Sequence, residues 1–115
     1  MTYRLGVLAS HPIQYHAPLF RELAQRCDLT VYFAHRQTAA GQAAAGFDVA
    51  FEWGVDLLGG YEHYFLRNRA KHPSTDRYAG CDTPEIAEQI NQQRFDAFLV
   101  PGWYLKSYWQ AIRAC

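Results

Sequence analysis

The chain has no glycine-rich phosphate fingerprint. Neither G-x-G-x-x-G after its first apolar run nor G-x-x-x-x-G-K-[ST] anywhere occurs in its 115 residues, so a dinucleotide site or P-loop of the usual kind is not expected. Cysteine is scarce. Cys27, Cys81 and Cys115 are odd in number, far apart and without a C-x-x-C, which argues against a disulfide framework or a zinc site and for reduced thiols. Paired carboxylates are missing too, since Asp56, Asp76 and Asp82 are scattered. There is no net charge: eleven Lys plus Arg balance eleven Asp plus Glu. A protein whose main business is binding nucleic-acid phosphates would be more basic. No apolar run approaches the roughly 20 residues of a membrane-spanning helix. Met1–Arg4 lacks the charged leader, apolar core and cleavage site of a signal peptide, so a cytoplasmic location is expected. No internal repeat is visible.

What is present suffices for a core, because half of the residues are apolar and 16% are aromatic. The length allows one domain, residues 1–115, and not two. Leu5–Ala9 is a short apolar run without alternation, as in a strand covered on both faces. Pro12 ends it by holding His11 extended. Pro18 suits a first helical turn, and Leu19, Phe20, Leu23, Ala24 and Cys27 then share one helical face. Leu29–Ala34 is the next strand, completing a βαβ unit with parallel strands. Residues 38–46 are Ala/Gly-rich, and 49–55 alternate with period two. Gly59-Gly60 signals a turn, Tyr61–Leu66 a third strand, and Arg67–Gly80 a long polar loop. Thr83-Pro84-Glu85 reads as a helix start, with Thr83 as cap, and Ile86, Ala87 and Ile90 as the buried face. Phe95–Val100 is a fourth strand ended by Pro101-Gly102, and Lys106–Ala114 a last helix. The fold class is α/β: a doubly wound, mostly parallel Rossmann-like sheet of order 3-2-1-4, helices on both faces.

In such sheets ligands bind beyond the carboxyl ends of the strands, near the switch point between the first and fourth. Two loops border that place. The first offers Ser10, His11, Gln14, Tyr15 and His16 before a helix N-terminus, which suits an anionic or hydroxyl-rich ligand. The second offers Gly102, Trp103 and Tyr104, aromatics able to stack on sugar rings. The plainer reading makes the histidines helix caps, and Tyr108 and Trp109 packing residues. The basic loop carrying Arg67, Arg69, Lys71 and Arg77 follows the outer third strand and reads as solvated.

The run Ser10-His11-Pro12-Ile13-Gln14-Tyr15-His16-Ala17-Pro18-Leu19-Phe20-Arg21-Glu22-Leu23 resembles the opening of bacterial glycosyltransferases of the GT-B fold, in the large retaining family called group 1 or family 4. Phe51–Tyr61, Phe65–Asn68, Phe95–Val100, Gly102-Trp103 and Ser107-Tyr108-Trp109 continue the likeness in order, with Gly54 standing where an acid is expected. The resemblance implies an N-terminal, acceptor-side domain that lacks its C-terminal donor-binding partner and the E-x(7)-E motif. The fragment alone would be inactive. The complete enzyme would move a sugar from a nucleotide-sugar to a hydroxyl of a saccharide or lipid-linked acceptor, at the inner membrane face or in the cytoplasm, with neither metal nor other cofactor. An exposed face carrying Tyr104, Leu105, Tyr108, Trp109 and Ile112 would then favour homo-oligomers. Two alternatives stand beside this. One is a stand-alone flavodoxin-like or receiver-like module, against which Ser10-His11 occupies the place of a receiver's acids. The other is half of a sugar-nucleotide epimerase.

Overall fold

The computed structural model describes residues 3–12, 16–35 and 59–115. Four strands form one all-parallel sheet: β1 (Arg4–Ala9), β2 (Asp28–Phe33), β3 (Glu62–Phe65) and β4 (Ala97–Leu99). Their order is β3-β2-β1-β4, as the βαβ reading predicts. β1 pairs β2 from Arg4↔Asp28 to Ala9↔Phe33, β4 from Leu5↔Ala97 to Val7↔Leu99, and β2 pairs β3 from Thr30↔Glu62 to Phe33↔Phe65. Among the described residues three α-helices accompany them: α1 (Ala17–Arg26), α2 (Glu85–Gln93) and α3 (Lys106–Ala114). The Gly59-Gly60 turn is present, and Gly60 takes a positive φ of 89° that suits a residue without Cβ. The segments at 38–46 and 49–55 lie outside the described residues.

The pleat sends alternate side chains to opposite faces. Val7 and Ala9 of β1 join Leu29, Val31 and Phe33 of β2 under Phe20 of α1. Leu8 and Tyr32 point the other way and meet Ile86, Leu105, Tyr108 and Ala111 of α2, α3 and the turn before α3. Burial on both faces is why these strands read as unbroken apolar runs.

Two expectations fail locally. Thr83 does not cap α2 with its hydroxyl; Pro84 occupies the cap position, and Thr83 Oγ1 instead donates to Ser107 Oγ at 2.8 Å, both residues fully buried. The core had a long-range partner for that hydroxyl, and burial made the partner obligatory. Leu105 and Tyr108 do not belong to an exposed face; both are core residues, while Tyr104, Trp109 and Ile112 remain exposed.

The amino edge of the sheet is closed by structural contacts. The Arg4 guanidinium donates to the Gln93 carbonyl and side chain, lies 3.5 Å from the Asp28 carboxylate and covers the Phe95 ring. Arg94, with a φ of 54°, ends α2 there. The loops with polar side chains to spare gather at the opposite, carboxyl edge.

Candidate functional site at the carboxyl edge of the sheet

Ser10 and His11 leave the end of β1 between β2 and β4, at the switch point. Ser10 is buried, with its Oγ 3.0 Å from His11 Nδ1 and its carbonyl accepting from the His35 amide at 2.8 Å. His35 follows β2 directly, so the hydrogen bond holds the ends of β1 and β2 together. His16 sits at the cap position of α1, but no side-chain bond caps the helix; its ring lies 5.8 Å from that of Phe20. The reading of His16 as a side-chain cap therefore fails. Pro18 supplies the preorganised first turn instead. Gln14 and Tyr15 lie outside the described residues.

His11 lies where His16 and His35 both act on it. Burial, then the nearby His35 and His16, pushes the His11 pKa below its ordinary 6.5. Burial lowers His16 and His35 in the same direction. The three imidazoles are neutral at pH 7, able to donate and accept hydrogen bonds without strong charge.

The loop after β4 packs on Tyr108 of α3. Burial raises the Tyr108 phenol far above its normal range, with Ser10 as a hydrogen-bonding neighbour that pulls the other way. Its ring packs edge-on against Tyr104 at 5.5 Å. Gly102 lies against the same ring, where a Cβ would come 3.3 Å from it. Trp103 is 75% exposed and Tyr104 52%, so both present aromatic surface to solvent. Trp103 is held through its backbone, since its carbonyl accepts from Trp109 Nε1 at 2.8 Å. Tyr108 thus gathers Gly102 and Tyr104 around its ring, with Trp103 on the rim.

One expectation about the neighbourhood is revised. The segment 67–82 does not remain beside the outer strand β3; it runs back to the start of α3. Asp82 takes hydrogen bonds from Lys106 Nζ at 3.1 Å and Gln110 Nε2 at 2.8 Å, and Gln110 Oε1 accepts from the Thr83 amide. The Gln110 hydrogen bond, aided by Lys106, holds the Asp82 carboxyl below the usual carboxylate range. The polarity of Lys106, Ser107 and Gln110 at spacings of helix turns was the sequence signal for this docking, legible only with Asp82-Thr83 as partner. Among the described residues, no group of three or more His, Cys, Asp or Glu side chains could hold a metal ion, and no helix is long and apolar enough to cross a membrane.

Set against known proteins, the chain matches no family model, no curated protein and no solved structure.

Proposed function

We propose that this chain is the acceptor-side, Rossmann-like domain of a glycosyltransferase that uses a nucleotide-sugar. The observation that carries the reading is topological: Ser10-His11 after β1 and Gly102–Tyr104 after β4 leave the carboxyl ends of adjacent strands at the switch point. Neutral imidazoles and hydroxyls suit sugar hydroxyls, which need donors and acceptors together. Exposed Trp103 and Tyr104 offer flat apolar faces for a pyranose ring. The opening run Ser10–Leu23 supports the same reading by resemblance. Sugar transfer would require a donor-binding domain as partner, and within this chain the two loops would position the acceptor. The nucleotide-sugar is a substrate in this reading, and no cofactor is called for.

The test is saccharide binding by the chain itself. Titration with neutral mono- and disaccharides, read by tryptophan fluorescence and by backbone amide shifts, should perturb His11, Gly102 and Trp103. Trp103→Ala should weaken binding at least tenfold while leaving the melting temperature unchanged. Absence of any saccharide response up to high millimolar concentration, with the fold intact, removes the reading in favour of a module that binds something else.

A further inference from the structure

The segment 67–82 is long and polar, yet it is built rather than draped. The Asn68 side chain fixes it from within: Oδ1 accepts from the Ala70 amide at 3.1 Å and the Asp82 amide at 2.9 Å, while Nδ2 donates to the Gly80 carbonyl at 2.9 Å. The Arg69 amide donates to the Asp82 carbonyl, and Ser74 and Gly80 close a second turn through the Ser74 amide and Gly80 carbonyl. Cys81 Sγ, fully buried, donates to the Ser74 carbonyl at 3.1 Å. Gly80 is so close to Ser74 that a Cβ would lie 2.4 Å from its carbonyl oxygen, and only glycine fits without moving backbone.

This scaffold brings cations from three stretches of chain onto one cavity of about 370 Å³. Arg69 and Lys71 come from one side of the loop, Arg77 from the other, and Lys106 from the first turn of α3. Asp82 is the one carboxylate on its wall, already engaged by Lys106 and Gln110. Among the described residues, Arg69, Lys71 and Arg77 form no ion pair. The chain as a whole is neutral, so the excess is local. Holding like charges together on a fixed loop costs energy that a bound anion recovers. The start of α3 adds its partial positive charge at Lys106.

We infer that this cavity is a binding site for a phosphate ester, of the charge and size of a phosphomonoester or diphosphate. A carboxylate brings one negative charge, whereas the wall holds four permanent cations against one carboxylate. A phosphate dianion or diphosphate matches that excess, and the guanidinium groups of Arg69 and Arg77 have the fork geometry that phosphate oxygens accept. The volume lies at the small end of ligand pockets and is adequate for a phosphorylated headgroup or metabolite. The inference does not depend on the sugar-transfer reading, because none of the residues it uses is among Ser10, His11 and Gly102–Tyr104.

Calorimetric titration of the chain with inorganic pyrophosphate tests one source, and co-sedimentation with phosphatidylcholine vesicles carrying phosphatidic acid tests the other. Arg69→Ala/Arg77→Ala is the diagnostic variant, since both side chains are exposed and its melting temperature should match the parent. Saturable pyrophosphate binding, weakened at least tenfold in the variant and by added salt, supports the site with a free phosphate as ligand. Vesicle binding that needs phosphatidic acid and is lost in the variant, without pyrophosphate binding, supports it with a lipid headgroup. No binding in either arm overturns it. So does binding that the variant leaves unchanged, or equal affinity for pyrophosphate and citrate, which would mark a diffuse cationic surface. Lys71→Ala, tested separately, should lower affinity less than the double variant. Neutral saccharide titrations are unaffected by these substitutions, so failure here is distinguishable from failure of the transferase proposal.

Discussion

The two faces of the sheet are built by different rules. Beneath α1 the core is apolar throughout: Val7, Ala9, Phe20, Leu29, Val31 and Phe33. Beneath α2 and α3 the core mixes Leu8, Ile86 and Leu105 with Tyr32, Cys81 and Tyr108, and buries the Thr83–Ser107 hydroxyl pair beside them. The first face is held by burial, which is non-directional. The second must also satisfy each buried polar atom. Tyr108, which packs against Gly102 and Tyr104 at the carboxyl edge, is anchored on the second face. The face that leads to the candidate site is the one whose folding depends on specific partners.

The largest expected effect falls on the apolar face. Phe33 is completely buried between β2 and α1, so Phe33→Ala should cost about 3–5 kcal/mol in urea denaturation. A loss under about 1.5 kcal/mol would mean that this face repacks and that the contrast is false. On the mixed face, Thr83→Val keeps the shape and removes one hydroxyl. It should cost about 1–3 kcal/mol by leaving the Ser107 hydroxyl without its buried partner. Adding Ser107→Ala should return much of that loss. Additive losses in the double-mutant cycle would show that the two hydroxyls do not act as a pair.

A pH titration sharpens the comparison further. The folded chain holds the pKa values of His11, His16 and His35 below 6.5, so it binds fewer protons than the unfolded chain in that region. Stability should therefore be level above pH 6.5 and fall as the pH drops below it. The depressed Asp82 carboxyl adds a second loss, as pH falls below 3.8 and through its lower folded value. His11→Gln should flatten the upper limb in pH-dependent melting and leave the lower one; an unchanged upper limb would detach His11 from it. The smallest effect belongs to the rim: Trp103→Ala should change stability by less than about 0.5 kcal/mol by thermal melting, because that side chain is exposed.

Sequence pattern and structure agree where the physics is local or two-sided. β1 and β2 stood out because both of their faces are buried; α3 was legible as a helix, but its buried side was not, since Leu105 and Tyr108, read as exposed, lie in the core. The strand order followed from the βαβ rhythm. Long-range pairing was not legible. Nothing near Thr83 shows that its hydroxyl will find Ser107 and not its own helix, 24 residues apart. Nothing in the basic run says that Asn68 will fold it back onto Lys106, since that depends on three chain segments meeting. For the candidate site, Ser10, His11, His16, Gly102, Trp103 and Tyr104 were legible as loop residues at strand ends, whereas the packing of Tyr108 against Gly102 and Tyr104 emerged only from the structure.

The Asn68–Asp82–Gln110 linkage also bears on the time order of folding. β1, α1 and β2 are close in sequence and can associate early. The basic segment has internal bonds through Asn68, but Asp82 and the Thr83 amide gain theirs to Lys106 and Gln110, more than twenty residues downstream, only when α3 docks. That docking is expected to set late, after the folding transition state. An anion held there should slow unfolding while leaving the refolding rate nearly untouched, so that a chevron plot would register it in the unfolding limb alone.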